Sequence, residues 1–124
     1  MSNDYRTLEL QVIRWAEARK IIPNGKISGQ AEKTLEEAGE LVEAAAIITF
    51  LDDECTGMPG YAQLRAKWMA KYRDAAGDVL VTLINGCALA DVDLVSCLAQ
   101  AYDEIKNRRG TLLPNGVFVK EAAS

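Results

Sequence analysis

The segment from Asp78 to Ala90 reads DVLVTLINGCALA, and after Asp78 only Thr82 and Asn85 interrupt its apolar run. A helix that is apolar on almost every side is normally the central helix of a domain. The flanking sequence predicts that this helix starts after Gly60 and continues to about Ala90. An ionised Asp78 at the border of the core is costly unless it pairs with a cation or binds a metal. Two alternatives therefore stay open for Asp78: a metal site, or a salt bridge to Arg73, Lys106 or Arg109.

Three further helices are predicted from the helical spacing of apolar residues. Their expected limits, in chain order, are about 4–20, 28–53 and 91–109. Ser28 is expected to cap the second helix of the chain, and Asp91 or Asp93 the fourth. A short extended run, residues 117–119, follows in the tail. The pattern predicts an all-α fold with four helices, in one domain that spans residues 1–124.

The composition excludes several classes of protein. The chain has 124 residues, with 14 basic and 18 acidic side chains and a net charge of −4, which speaks against a partner that is a nucleic-acid polymer. It has no histidine, so Ser-His-Asp catalysis, Cys-His catalysis and imidazole zinc sites are excluded. Its three cysteines form no C-x-x-C pair. With no signal-peptide pattern and no apolar stretch long enough to span a bilayer, we expect a cytoplasmic protein without a membrane partner.

The second helix carries a row of charged side chains: Lys33, Glu36, Glu37, Glu40 and Glu43. This row is expected opposite an apolar side formed by Leu35, Leu41, Val42, Ala45 and Ile48. Glutamates three and four residues apart repel one another unless a cation lies between them. One interpretation is a solvated acidic face. The other is a site for a hard cation shared with Asp74 and Asp78 of the third helix, since carboxylates from two helices are one way to build a metal cluster in a bundle.

Two blocks resemble the signature of the MazG-type all-α nucleoside triphosphate pyrophosphatases. Residues 33–44 read KTLEEAGELVEA, similar to E-E-x-x-E, and residues 74–81 read DAAGDVLV, similar to E-x-x-D followed by apolar residues. The stretches 15–19, 101–110 and 116–120 resemble the flanks of the small single-domain members. Two features depart from the pattern. Ala75 stands where the family has a glutamate, with Asp74 one place earlier, and an extra segment around residues 55–66 lengthens the gap between the blocks.

This resemblance implies Mg²⁺-dependent hydrolysis of (deoxy)nucleoside triphosphates to the monophosphate and pyrophosphate, a house-cleaning reaction of the nucleotide pool. Mn²⁺ is the expected substitute ion. By analogy with the family, Glu37, Glu40 and Asp78 are the expected metal ligands, and Asp74 is the expected replacement for the missing glutamate. Glu36 is either a further ligand or the group that orients water.

The remaining candidate substrate contacts are basic, aromatic or amide side chains: Lys33, Lys106, Arg109, Trp15, Asn85 and Gln30. For Lys106 and Arg109 the alternative is charge complementarity at the end of a helix. Trp15 either packs in the core or stacks on the nucleobase. Asn85 needs a hydrogen-bond partner, which is either the backbone of another helix or the substrate. Trp68 is interpreted as a packing residue.

A four-helix MazG-like bundle whose core is completed by dimerisation is expected, because the third helix has more apolar surface than one small chain buries. Family members of this size form homodimers or dimers of dimers. Two alternatives to the main hypothesis remain. One is a related dUTPase-like or phosphoribosyl-ATP-type pyrophosphatase, and the other is a non-catalytic helical module for nucleotide binding or dimerisation, which the Ala75 departure favours.

Overall fold

The computed structural model describes residues 3–122, and this part of the chain is helical apart from one small β-hairpin. The elements in chain order are α1 (Tyr5–Ala18), α2 (Ile21–Asn24), α3 (Ile27–Glu54), α4 (Tyr61–Leu89), α5 (Leu94–Ile105), β1 (Gly110–Leu112) and β2 (Phe118–Lys120). The predicted all-α class is confirmed, and the four predicted helices correspond to α1, α3, α4 and α5. The short element α2 was not predicted, and its Ile22 has non-helical backbone angles (φ −107°, ψ 122°).

Two of the helices, α1 and α5, begin at a side chain that accepts a hydrogen bond from a free backbone N–H group, whereas α2, α3 and α4 have no side-chain cap. Asp4 caps α1 by accepting from the Thr7 N–H at 3.3 Å. Asp93, one of the two predicted caps, accepts from the Ser96 N–H at 3.1 Å and so caps α5. The prediction for α3 was wrong by two residues, since its N-cap is Lys26, which makes no side-chain capping bond.

The chain divides into two compact units, residues 3–91 and residues 92–122 among those described. The first contains α1 to α4. The second contains α5 and the hairpin, in which β1 pairs antiparallel with β2 and Thr111 lies opposite Val119. The short extended run expected in the tail therefore falls in and next to β2.

In the first unit, α3 and α4 form a long antiparallel helical hairpin. They have 28 and 29 residues, so each is roughly 40 Å long at 1.5 Å per residue. Near the connecting turn, the Asp52 carboxylate accepts hydrogen bonds from the Tyr61 hydroxyl at 2.6 Å and from Arg65 Nε at 2.8 Å. Toward the other end, the hydroxyls of Thr34 and Thr82 lie 2.8 Å apart. These two contacts fix the register of the hairpin.

The apolar core of the described chain is small and consists of Ala16, Ala44, Leu51, Ala75 and Ile84. The apolar side predicted for α3 is divided by the structure. Leu35 and Val42 are 75% and 67% exposed, whereas Ala44 and Leu51 of the same helix are buried. In a single copy of the chain, Leu35 and Val42 are therefore not on the buried side of α3, and that prediction was wrong. The other members of the predicted apolar side, Leu41, Ala45 and Ile48, are half-buried.

Within residues 3–122 no single helix is long and apolar enough to cross a membrane, whereas α4 and α5 taken as a pair meet that test by length and composition.

Candidate metal centre

Three carboxylates converge where α3 packs on α4. One oxygen from each of Glu37, Glu40 and Asp78 lies within 4.8 Å of the other two. Glu37 and Glu40 are three residues apart, so they project from adjacent turns on one side of α3. The register of the hairpin brings Asp78 of α4 to the same level. Glu37 and Asp78 are half-buried, and Glu40 is exposed.

This convergence makes the ionised forms unfavourable. One oxygen of Glu37, Oε2, is buried and has no hydrogen-bond partner. Burial raises the pKa of Glu37, and the adjacent carboxyl of Glu40 and the charge of Asp78 raise it further. Burial also raises the pKa of Asp78, with added repulsion from Asp74 and Glu40. A bound divalent cation would remove this repulsion, and protons would compete with it for the same oxygens.

The donor set fits a hard cation. It consists of carboxylate oxygens, with no histidine in the chain and no cysteine in the group. Mg²⁺ and Mn²⁺ prefer oxygen ligands, and Mg²⁺ commonly combines one or two protein carboxylates with several waters and substrate phosphates. The orphaned Glu37 oxygen supplies a ligand atom that otherwise lacks any partner. The residues at this position therefore suit Mg²⁺ or Mn²⁺.

The other predicted acidic residues lie around this group. Asp74 is exposed and close enough to raise the pKa of Asp78, but it is not one of the three converging carboxylates. Ala75 is buried at 3% exposure. Glu36 is exposed and forms an ion pair with Lys33 at 2.9 Å. That hydrogen bond and the Glu36 charge are the main reasons that the pKa of Lys33 is raised.

A line of polar side chains continues from the three carboxylates along the α3–α4 contact. The paired hydroxyls of Thr34 and Thr82 come first. Farther along, Gln30 lies against Gly86, where an added Cβ would stand 3.4 Å from the Gln30 Cβ. Asn85 is only 3% exposed, and its Oδ1 has no hydrogen-bond partner. A buried amide oxygen without a donor is costly, so this position calls for a donor from water or a ligand.

An apolar cavity adjoins the carboxylates on the side of α1. It has a volume of about 430 Å³ and is lined by Leu8, Gln11, Val12, Trp15, Asp78 and Val81. Trp15 is 44% exposed, so the sequence hypothesis that it packs in the core is wrong. The Arg19 guanidinium lies over its ring, 4.4 Å from the centroid. Trp15 and Asp78 therefore line the same cavity.

A second cavity adjoins the carboxylates on another side and was missed by sequence reasoning. It has a volume of about 230 Å³ and is lined by Glu40, Glu43, Trp68, Lys71 and Asp74. The interpretation of Trp68 as a packing residue alone is therefore incomplete, since its half-buried ring forms a wall of this cavity. A usable signal existed, because Lys71 precedes Asp74 by three residues and Asp78 by seven, which are spacings on one helical face.

The predicted basic contacts at the end of α5 belong to the second unit. Lys106 forms an ion pair with Asp103, three residues earlier on the same helix. Arg109 lines an open cavity of about 730 Å³ beside the hairpin, together with Arg108 and Lys120. This unit thus carries a basic surface of its own, while the carboxylates described above belong to the first unit.

No family model matches this sequence, and no curated protein and no solved structure matches it.

Proposed function

We propose that this protein is a Mg²⁺-dependent hydrolase that converts (deoxy)nucleoside triphosphates to monophosphates and pyrophosphate, in the clearance of unwanted nucleotides. The observation that carries the proposal is the group of three carboxylate oxygens within 4.8 Å, contributed by Glu37, Glu40 and Asp78 from two helices. The block similar to E-E-x-x-E at residues 33–44 and the second block at residues 74–81, in which Asp74 and Asp78 are the acidic residues, support the same assignment. Mn²⁺ is expected to replace Mg²⁺.

The chemistry that this reaction needs is consistent with the side chains present. The oxygen of a water molecule bonds to the α-phosphorus, the bond from that phosphorus to the bridging oxygen breaks, and pyrophosphate leaves with the electron pair. With no histidine in the chain, a carboxylate or solvent is proposed to take the proton of the water. Mg²⁺ held by these carboxylates would offset the phosphate charge and lower the pKa of a bound water. Glu36 is proposed either to add a ligand or to orient the attacking water.

The substrate base is proposed to enter the apolar cavity beside Trp15, which offers an aromatic face within the same unit as the carboxylates. Asn85 and Gln30 lie farther along the α3–α4 contact, where the unpartnered Asn85 oxygen could accept a hydrogen bond from sugar or base. Lys33, in the same unit as the carboxylates, remains a proposed phosphate contact, whereas Lys106 and Arg109 belong to the second unit and stay predictions from the sequence. A dUTPase-like or phosphoribosyl-ATP-type substrate uses the same metal chemistry and belongs to the same proposal.

One observation favours a second candidate function, a nucleotide-binding module without hydrolysis. Ala75 occupies the position of a family glutamate and is buried, so no carboxylate can be supplied from that position. The neighbouring Asp74 is exposed and lies outside the three-carboxylate group. If Asp74 does not replace the missing ligand, nucleotide could bind without being hydrolysed.

The decisive experiment measures pyrophosphate release from a panel of (deoxy)nucleoside triphosphates with and without Mg²⁺. Release should require the metal. Glu40→Gln and Asp78→Asn should each lower kcat/KM by about 100-fold or more, because each removes a charge that positions the ion. Glu32→Gln, an exposed glutamate of α3 outside the group, is the matched control and should retain activity.

Three outcomes separate the candidates. Nucleotide binding by calorimetry without any release would favour the non-catalytic module. Full activity in both Glu40→Gln and Asp78→Asn would contradict the assignment of the site. Asp74→Ala tests the proposed substitution, and an unchanged Mn²⁺ affinity in that variant would mean that Asp74 is not a ligand.

A second copy of the chain is the proposed partner. Three large apolar side chains of α3 are each at least 59% exposed: Leu35, Val42 and Phe50. The buried apolar core of the described residues has five side chains, and three of them are alanines. Covering such surface is the usual reason for a small helical chain to form a homodimer or a dimer of dimers. Sedimentation should therefore show a dimer or tetramer, and Val42→Glu should shift it toward the monomer. A monodisperse wild-type monomer at tens of micromolar would contradict this.

A further inference from the structure

The cavity lined by Trp68 and Lys71 contains a cation that is free to meet an anion. Lys71 Nζ lies over the Trp68 ring, 5.1 Å from the centroid. The same cavity is lined by Glu40, Glu43 and Asp74, yet no ion pair within residues 3–122 involves Lys71. A lysine that is held over an aromatic ring and stays beyond ion-pair distance of the surrounding carboxylates can bind an incoming phosphate.

The carboxylate group of Glu37, Glu40 and Asp78 borders this cavity and the cavity beside Trp15, each through one of its members. Glu40 belongs to the carboxylate group and also lines the cavity with Lys71. Asp78 belongs to the same group and also lines the cavity with Trp15. One cavity is therefore polar with a basic side chain, and the other is apolar with an aromatic wall. A molecule bound at the carboxylates could place an organic end in the apolar cavity beside Trp15 and a phosphate end in the cavity with Lys71.

We propose, building on the hydrolase function above, that the leaving pyrophosphate binds in the cavity of Lys71 and Trp68, while the base lies beside Trp15. Lys71 is then the residue that contacts the phosphates released from the α-phosphorus, and Trp68 positions the lysine. At about 230 Å³ this cavity is smaller than the roughly 300–1,000 Å³ of pockets that enclose whole organic ligands, so it suits a fragment such as pyrophosphate.

The charges around this cavity make a second demand on the ligand. Three carboxylates line it beside the one lysine, so a free pyrophosphate anion is repelled. Divalent ions at Glu37, Glu40 and Asp78 would reverse that balance. Pyrophosphate binding in this cavity should therefore depend on the metal, and removal of Lys71 should weaken pyrophosphate binding without weakening binding of the metal alone.

The test uses calorimetry on the full chain with two probes: Mn²⁺ alone, and inorganic pyrophosphate in saturating Mg²⁺. The variant is Lys71→Gln, and Lys67→Gln is the matched control. Lys67 also lies near the Trp68 ring, at 6.0 Å from the centroid, but does not line the cavity. Lys71→Gln should weaken pyrophosphate binding by about tenfold or more, as expected for a lost charge-assisted hydrogen bond, and leave Mn²⁺ affinity unchanged or higher. Lys67→Gln should change neither by more than about twofold, and Lys71→Arg should restore most of the pyrophosphate affinity.

The outcomes distinguish this inference from the function on which it rests. In one outcome, wild type binds metal and pyrophosphate, Glu40→Gln abolishes both, and Lys71→Gln behaves like Lys67→Gln. The role proposed for Lys71 is then wrong, while the hydrolase proposal stands. If Lys71→Gln weakens Mn²⁺ binding as much as pyrophosphate binding, the lysine acts only on the structure of the site and the inference is overturned. If wild type binds neither probe, both the inference and the proposed function fail.

Discussion

Replacing Asp78 by asparagine should have opposite effects on stability with and without metal. In the metal-free protein this carboxylate stands beside Glu37 and Glu40, and its side chain makes no hydrogen bond within the described residues. Burial, Asp74 and Glu40 all raise its pKa, so its ionised form at neutral pH destabilises the fold. Asparagine has nearly the same shape and no charge. The substitution should therefore stabilise the metal-free protein.

The size of this effect follows from the geometry. Carboxylate oxygens of Asp78 and Glu40 lie within 4.8 Å of each other. Two unit charges at that distance repel by about 1 kcal/mol in a water-like dielectric, which is the appropriate value for side chains that remain in contact with water. A change of about 1 kcal/mol moves the midpoint of thermal unfolding by about 4 °C in a chain of this length. In EDTA, Asp78→Asn should thus unfold about 4 °C above wild type.

Metal should reverse the order. At a Mn²⁺ concentration 100 times the Kd, wild type gains about 2.7 kcal/mol, whereas the variant has lost a ligand and gains much less. The assay is thermal unfolding at one fixed protein concentration, in EDTA and in Mn²⁺. The control is Asp53→Asn, because Asp53 is an exposed aspartate of α3 that does not belong to the three-carboxylate group. A lower midpoint for Asp78→Asn in EDTA, or an equal Mn²⁺ shift in variant and wild type, would contradict this prediction.

Two further predictions concern the contacts that hold α3 against α4. Hydrogen bonds from Arg65 and Tyr61 lower the pKa of Asp52. The ionised carboxylate therefore stabilises the fold at a pH above the ordinary pKa of a carboxyl group, about 4. This stabilisation is lost as the pH falls below about 4 and passes through the lowered pKa. Asp52→Asn should accordingly lower the urea midpoint at pH 7 and approach wild type at pH 3, and a difference that stays constant with pH would contradict this. Thr82 is 7% exposed, and its hydroxyl lies 2.8 Å from the Thr34 hydroxyl and donates to the Val79 carbonyl at 2.7 Å. Thr82→Val should therefore lower the free energy of unfolding in urea by about 1–2 kcal/mol. A decrease below about 0.3 kcal/mol would show that the hydroxyl pair does not hold the register.

Much of the secondary structure could be predicted from the sequence. The four long helices were predicted with limits close to those observed, and Asp93 was one of two predicted caps. The error at Ser28 concerns which residue precedes a helix, where local signals are weakest. The error at Leu35 and Val42 has another cause. A helix with apolar residues on more than one side does not reveal from its own periodicity which side packs within the chain and which stays exposed.

The candidate site was predicted in part for the same physical reason. Glu37 and Glu40 are neighbours on one helix, so their proximity could be read from spacing. Which other residues border the site could not be read in this way: Trp68 and Lys71 line the adjoining cavity because of how α4 lies along α3. The spacing places Lys71 on the same helical face as Asp74 and Asp78, but spacing does not show that this face borders a cavity.

The four long helices, the exclusion of imidazole as a ligand and the grouping of carboxylates along each helix follow from the amino-acid sequence. Those properties depend on hydrogen bonds and spacings within a few residues, which are local. The tertiary structure alone decided the register of α3 on α4, and with it the meeting of Asp78 with Glu37 and Glu40. That meeting joins residues far apart in the chain, and it depends on contacts at both ends of the hairpin, Asp52 with Arg65 and Thr34 with Thr82, that no local pattern specifies.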